Sequence, residues 1–153
     1  MTARFFLPVR VYYEDTDSGG VVYYANYLKF MERARTEWLR GFGIEQDVLA
    51  RDAGVIFAVS EVALSYKKPG RFNDLLQVNV VLSSHRRASL EFEQTVLRVD
   101  NDDILSEEGT LKADYASSTV LCSGTVKIAC IDNKTFRPKR IPEDCLAEIL
   151  SDN

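Results

Sequence analysis

The chain of 153 residues has a single histidine, His85, and only three cysteines, Cys122, Cys130 and Cys145, with no C-x-x-C spacing among them. One histidine excludes metal sites of the His-Glu-x-x-His kind. An odd set of cysteines, late in the chain on or after apolar strand-like sequence, argues for reduced, buried thiols rather than a disulfide or zinc framework. No apolar window approaches the ~20 residues of a spanning helix. The apolar start Phe5-Phe6-Leu7 is cut at once by Pro8, with no small-residue cleavage site after it. A cytoplasmic location without membrane insertion is the resulting expectation. Positive charge is not in excess either: 19 Lys and Arg against 23 Asp and Glu give a formal net charge of -4, so no broad field attracts nucleic acid. Any phosphate has to be met by a local cluster of cations.

What is present, 46% hydrophobic and 27% charged residues, suits one globular domain over residues 1–153 that buries a full core without disulfides or a structural metal. Residues 5–13 are aromatic and β-branched and read as a first strand, which runs into the turn-forming set Glu14-Asp15-Thr16-Asp17-Ser18-Gly19-Gly20. Tyr27, Phe30, Met31, Ala34, Trp38 and Phe42 then recur at helical spacing, with Lys29, Glu32, Arg33, Arg35, Glu37 and Arg40 between them. This predicts one long helix, stopped by Gly41 and Gly43 and started between Gly20 and Asn26, with Asn26 an acceptable cap. Beyond Gly54 the period drops to two. Ile56, Ala58, Ser60, Val62, Leu64 and Tyr66 share a face, then Leu76, Val78, Val80 and Leu82, then Leu90, Phe92 and Val96. The breaks at Lys67–Gly70 and Ser83–Arg87 are too short for crossover helices, which predicts antiparallel neighbours joined by hairpins. Residues 100–118 read as a long polar loop, 119–131 as a last strand, and a short helix is expected from Pro142. One helix cannot cover both faces of five strands, so a sheet wrapped around it and completed by a second copy is the natural architecture.

The chemistry-bearing feature is the Asp15–Gly20 junction between strand and helix. Asp15, Asp17 and Gly20 match positions 1, 3 and 6 of a calcium loop, but Gly19 and Asn26 fail positions 5 and 12. There is no phosphate loop of the G-x-x-x-x-G-K-[ST] or G-x-G-x-x-G kind. Two readings stay open on chemistry alone. In one, a carboxylate caps the helix and the glycines reverse the chain. In the other, helix N-terminal N–H groups polarise a carbonyl and hold its oxyanion, while a carboxylate attacks it or activates water beside it.

The run Val9-Arg10-Val11-Tyr12-Tyr13-Glu14-Asp15-Thr16-Asp17-Ser18-Gly19-Gly20-Val21-Val22-Tyr23-Tyr24-Ala25-Asn26-Tyr27-Leu28 resembles the signature of the 4-hydroxybenzoyl-CoA thioesterase family of hotdog-fold enzymes. Phe30-Met31-Glu32-Arg33-Ala34-Arg35-Thr36-Glu37 brings it closest to the branch associated with the Tol-Pal gene cluster, and the likeness continues through 68–74 and 137–142. The resemblance implies an α+β hotdog fold, a five-stranded antiparallel sheet around one central helix, and hydrolysis of short- to medium-chain or aromatic acyl-CoA. It implies that Asp17 is the catalytic carboxylate, as nucleophile or general base, and that the Tyr24 backbone N–H polarises the thioester carbonyl. Many members of the Tol-Pal branch carry His where Tyr24 stands here, which removes an imidazole role but not one for the N–H. It further implies that CoA phosphates rest on Arg86 and Arg87 with Ser89 beside them, with Arg137, Lys139 and Arg140 as weaker candidates. No cofactor is expected, since CoA is part of the substrate. The expected partners are a second copy, as a dimer or dimer of dimers, and acyl carrier protein in a rival scaffold reading. A hotdog dehydratase is disfavoured because His85 is not in the helix-end loop. Glu32 and Glu37 are second-choice carboxylates, read first as surface ion pairs. Trp38 is assigned to the core, Asp15 to shaping the turn, and His85 to an exposed turn.

Overall fold

The structure, a computed structural model, describes residues 5–100 and 118–151. The long loop expected at 100–118 therefore lies almost wholly outside the described residues. The opening strand, β1 (Phe5–Arg10), is shorter than expected because Tyr13–Asp15 closes into one 3-10 turn. That turn is held by Tyr12 N–H donating to Asp15 Oδ2 at 2.9 Å and by Thr16 Oγ1 donating to Tyr13 O at 2.8 Å. The long helix is α1 (Asn26–Arg40), followed by a short α2 (Gln46–Asp52) that the sequence reading did not include. The strands β2 (Val55–Tyr66), β3 (Leu75–Arg86), β4 (Ser89–Val99) and β5 (Ser118–Asp132) complete the sheet, and α3 (Glu143–Ser151) follows as expected.

All pairings are antiparallel, in the order β1-β3-β4-β5-β2. β3 and β4 form a hairpin, as expected, but it turns only at Arg87-Ala88: Ser83–Arg86, expected in the break, belong to β3, which pairs with β4 through Arg86. β2 and β3 do not pair, which corrects the expectation of a hairpin at Lys67–Gly70. That segment carries the chain from one sheet edge toward the other. It is fastened by Lys67 and Lys68 N–H groups donating to Leu121 O at 2.8 and 3.2 Å, and by Gly70 N–H donating to Tyr27 Oη at 3.0 Å. A side chain at Gly70 would crowd Val22, Leu121 and Tyr27 at 3.1–3.2 Å, so this crossing point needs glycine.

α1 crosses the face made by β1, β3 and β4. Phe30, Met31 and Ala34 are buried there with Leu76, Val78, Phe92 and Val96, each at 1% exposure or less. Burying the larger of these side chains contributes roughly 1.5–3 kcal/mol apiece. Trp38 is in the core as assigned, edge-on to Phe42 and Phe92. In β2 the register slips between Val59 and Glu61, and Ser60 Oγ donates to Lys127 O. This bulge corrects the shared face expected from Ile56 to Tyr66: it turns Val59 and Val62, three residues apart, toward the same groove beside α1. At Gly124 a Cβ would lie 2.1 Å from Ala63 O, so β5 and β2 approach closer than any side chain allows. Cys122 and Cys130 are buried thiols, pushed up by desolvation to about 11.

Candidate active site

The loop before α1 folds back on itself. Thr16 bridges Val22, Asp17 N–H donates to Val21 O at 2.9 Å, and Tyr23 N–H donates to Asp15 O at 2.9 Å, with Gly20 at φ 78° making the reversal. The two aspartates of this loop end up in different states. Asp15 has its Oδ2 engaged by Tyr12 N–H, while its backbone oxygen also accepts Asn26 Nδ2 at 2.9 Å, so it shapes the turn as assigned. Asp17 is exposed: Oδ1 accepts Gly19 N–H at 2.8 Å, and Oδ2 has no hydrogen-bond partner among the described residues.

The helix begins without a side-chain cap. Ala25 takes the cap position, and Asn26, expected there, is buried in the first turn, where its amide ties the helix to Asp15. Among the described residues the Tyr24 N–H makes no hydrogen bond. Tyr24 O accepts Tyr66 Oη at 3.1 Å, and its exposed ring is edge-on to Tyr66 at 6.2 Å. An open hollow of about 270 Å³ lies here, walled by Tyr24, Tyr27, Tyr66, Lys67 and Lys68. Desolvation raises the pKa of the Tyr27 and Tyr66 phenols above their ordinary value. An exposed carboxylate oxygen, an amide N–H without a partner among the described residues and the positive end of a helix dipole thus lie within one loop-to-helix segment. Such a set can polarise a carbonyl and direct an oxygen nucleophile onto it.

The fold does not bring every candidate to this end. Arg10 pairs with Leu75 beside the Asp17 loop, whereas Arg86 and Ser89 pair at the far end of β3, with Arg87 in the turn between them. At ~3.3 Å per residue the 12 residues of β3 span about 36 Å. Within one copy, therefore, Arg86, Arg87 and Ser89 stand a sheet's length from Asp17. The C-terminal cations lie on the hairpin side too, since Ile141 N–H donates to Arg87 O at 2.8 Å. Lys139 and Arg140 form surface ion pairs there with Asp132 and Glu143. His85 is exposed at the same end but lies in β3 opposite Leu90 rather than in the turn expected for it.

Glu37 is ion-paired with Arg40, as expected. Glu32 is not: it accepts Thr36 Oγ1 at 2.8 Å and lines a groove of about 340 Å³ with Leu28, Arg35, Val59, Val62 and Val126. The polar pair missed by sequence reasoning is Arg35 with Gln94. Arg35, expected among the exposed positions, is 8% exposed and donates from Nη1 to Gln94 Oε1 at 2.9 Å. Gln94 is fully buried and donates in turn to Met31 O and Asn79 O. Burial holds the Arg35 pKa below its ordinary value, against an opposing pull from Glu32. The signal was available, because Arg35 lies four residues after Met31 on the buried stripe and Gln94 alternates in phase with Phe92 and Val96.

Among the described residues no three His, Cys, Asp or Glu side chains gather as a metal site, and no helix is long and apolar enough to cross a membrane. The sequence matches the thioesterase-like superfamily over residues 11–149. It is 38% identical over 143 residues to the acyl-CoA thioesterase YbgC of Haemophilus influenzae, covering 94% of this chain and 92% of that one. Against the acyl-CoA thioester hydrolase YbgC of Escherichia coli the identity is 37% over 147 residues, 96% of each chain. The crystal structure of a probable thioesterase from Bartonella henselae superposes with a TM-score of 0.73 at 29% identity, covering 92% of this chain and all of that one.

Proposed function

The chain belongs to the thioesterase-like superfamily and is an enzyme of the acyl-CoA thioesterase kind, and from that premise we propose that Asp17 and the Tyr24 N–H carry out the hydrolysis. The substrates are short- to medium-chain or aromatic acyl-CoAs. The thioester carbonyl oxygen accepts the Tyr24 N–H at the positive end of α1, which stabilises the oxyanion as it forms. The Asp17 carboxylate then acts in one of two ways. It takes a proton from a water whose oxygen attacks the carbonyl carbon, or it attacks that carbon itself to give an anhydride that water opens. Either way the carbon–sulfur bond breaks, the acyl group leaves as the acid, and the sulfur takes up a proton as CoA thiol. The observation that supports this reading is the unengaged Asp17 Oδ2 at the same helix end as the unpartnered Tyr24 N–H.

The working unit in this proposal is a dimer. β2 is a 12-residue edge strand, and Val59, Val62 and Leu28 beside it are 52%, 44% and 38% exposed, an apolar edge that a second copy covers. A partner would also solve the spacing problem, by bringing its own Arg86, Arg87 and Ser89 to the CoA phosphates bound near this copy's Asp17. The cytoplasm, where acyl-CoA is made and used, is its place of action.

Thiol release from a panel of short, medium, long and aromatic acyl-CoAs, measured beside Asp17→Asn, tests the assignment. Turnover that disappears in the variant supports it. A wild-type protein that binds CoA or acyl carrier protein and releases no thiol would replace it with a scaffold role.

A further inference from the structure

CoA carries its negative charge on phosphates at the end of the pantetheine arm, and a chain of net charge -4 has to hold them with local cations. Many surface cations here are already matched. Arg40 pairs with Glu37 and Glu45, Arg51 with Asp52, Arg98 with Asp100, Lys139 with Asp132, and Arg140 with Glu143. Lys67 and Lys68, like Arg86 and Arg87, are in none of these pairs, and what sets them apart is their position. Both lysines are exposed, neither has an ion pair among the described residues, and both stand on the rim of the hollow that holds Tyr24. Their backbone is fixed by the two bonds to Leu121 O and by the packed Gly70 two residues on, so their ammonium groups start from a rigid base.

Building on the reading that hydrolysis occurs at Asp17, we propose that Lys67 and Lys68 form a phosphate-binding subsite for the phosphate that ends the pantetheine arm. The same copy that holds the thioester thereby holds the near end of its carrier, and the hairpin arginines of a partner are left to the more distant nucleotide. Two flexible ammonium groups fit a tetrahedral, multiply charged phosphate, which needs charge more than planar bidentate geometry. The aromatic wall of Tyr24, Tyr27 and Tyr66 gives the arm an apolar path between the lysines and the helix end.

The test is calorimetric binding of CoA, phosphopantetheine and pantetheine to wild type, to Lys67→Ala/Lys68→Ala and to Lys67→Arg/Lys68→Arg. The alanine pair is expected to weaken CoA and phosphopantetheine by about tenfold or more and to leave pantetheine unchanged, and the arginine pair to restore most of the loss. CoA affinity that does not change, or pantetheine affinity that falls equally, overturns the subsite. A loss for CoA with none for phosphopantetheine overturns it as well, because the lysines would then be meeting the nucleotide. Butanoyl-CoA turnover by wild type, followed in parallel, reports on the hydrolytic reading separately. Comparing the KM of wild type and the alanine pair on butanoyl-CoA and on butanoyl-loaded acyl carrier protein shows which carrier supplies the phosphate.

Discussion

The entrance to α1 and its middle hold polar groups in opposite conditions. At the entrance, among the described residues, Asp17 is exposed with one carboxylate oxygen unengaged and the Tyr24 N–H has no partner. In the middle, nine residues into the helix, Arg35 and Gln94 are buried and bonded to each other, and Gln94 also to the backbone of Met31 and Asn79. A polar group can serve reaction only if its hydrogen-bonding capacity is not already taken, and can serve folding only if it is. The same helix thus offers chemistry at one end and anchorage to the sheet two to three turns along.

Substitutions at the two places should therefore separate turnover from stability. Asp17→Asn keeps the oxygen that accepts Gly19 N–H and removes only the negative charge. Turnover is expected to fall by roughly 10²–10⁴ with the melting temperature nearly unchanged, as read by thiol release and thermal unfolding. Asp17→Asn that loses stability along with activity would place the residue with the anchoring set instead. Arg35→Leu should do the reverse. It leaves Gln94 Oε1 buried without a donor, at a cost of about 3 kcal/mol or about 10 °C in melting temperature for a chain of this size. Adding Gln94→Leu to Arg35→Leu should recover part of that loss, because two apolar groups replace an orphaned one.

Much of this contrast was legible beforehand. The 3.6-residue period marked α1 through Trp38, and the period-two runs marked β2 to β4, because both signals come from burial on a single face. The Asp17 loop was legible for another reason: its carboxylates and glycines are dense, local and at a strand-to-helix junction. Strand partners were not, since a short connection such as Lys67–Asp74 says nothing of whether the next strand pairs beside it or across the sheet. The bulge at Ser60 was invisible for a related reason, because it depends on how β5 approaches β2. Asn26 was read as a cap from its residue type, but the site that satisfies its amide is Asp15 O, eleven residues earlier.

Gln77 sharpens the comparison from a third side. It is fully buried on β3, yet among the described residues neither of its amide atoms has a hydrogen-bond partner. It neither faces the entrance nor joins the Arg35 pair, so it gives neither chemistry nor anchorage. Gln77→Leu is expected to raise stability by about 1 kcal/mol in denaturant unfolding and to leave turnover alone. A destabilised variant would mean that the amide is satisfied in solution and belongs with Gln94.

The smallest expected effect falls on the residue most prominent at the entrance. Tyr24 presents a large exposed ring beside Asp17's loop, but the proposed role belongs to its backbone N–H, which every residue except proline retains. Tyr24→Phe keeps that N–H, the carbonyl that accepts Tyr66 Oη and the ring that meets Tyr66 edge-on. It loses only the phenol oxygen, whose contact with the exposed Tyr23 side chain raises the Tyr23 pKa. The kcat on the best acyl-CoA should stay within about twofold, since a neutral hydrogen bond open to solvent contributes little. A loss beyond about tenfold would move the polarising group from the backbone to the phenol, and the entrance would then depend on side-chain identity in the way its middle already does.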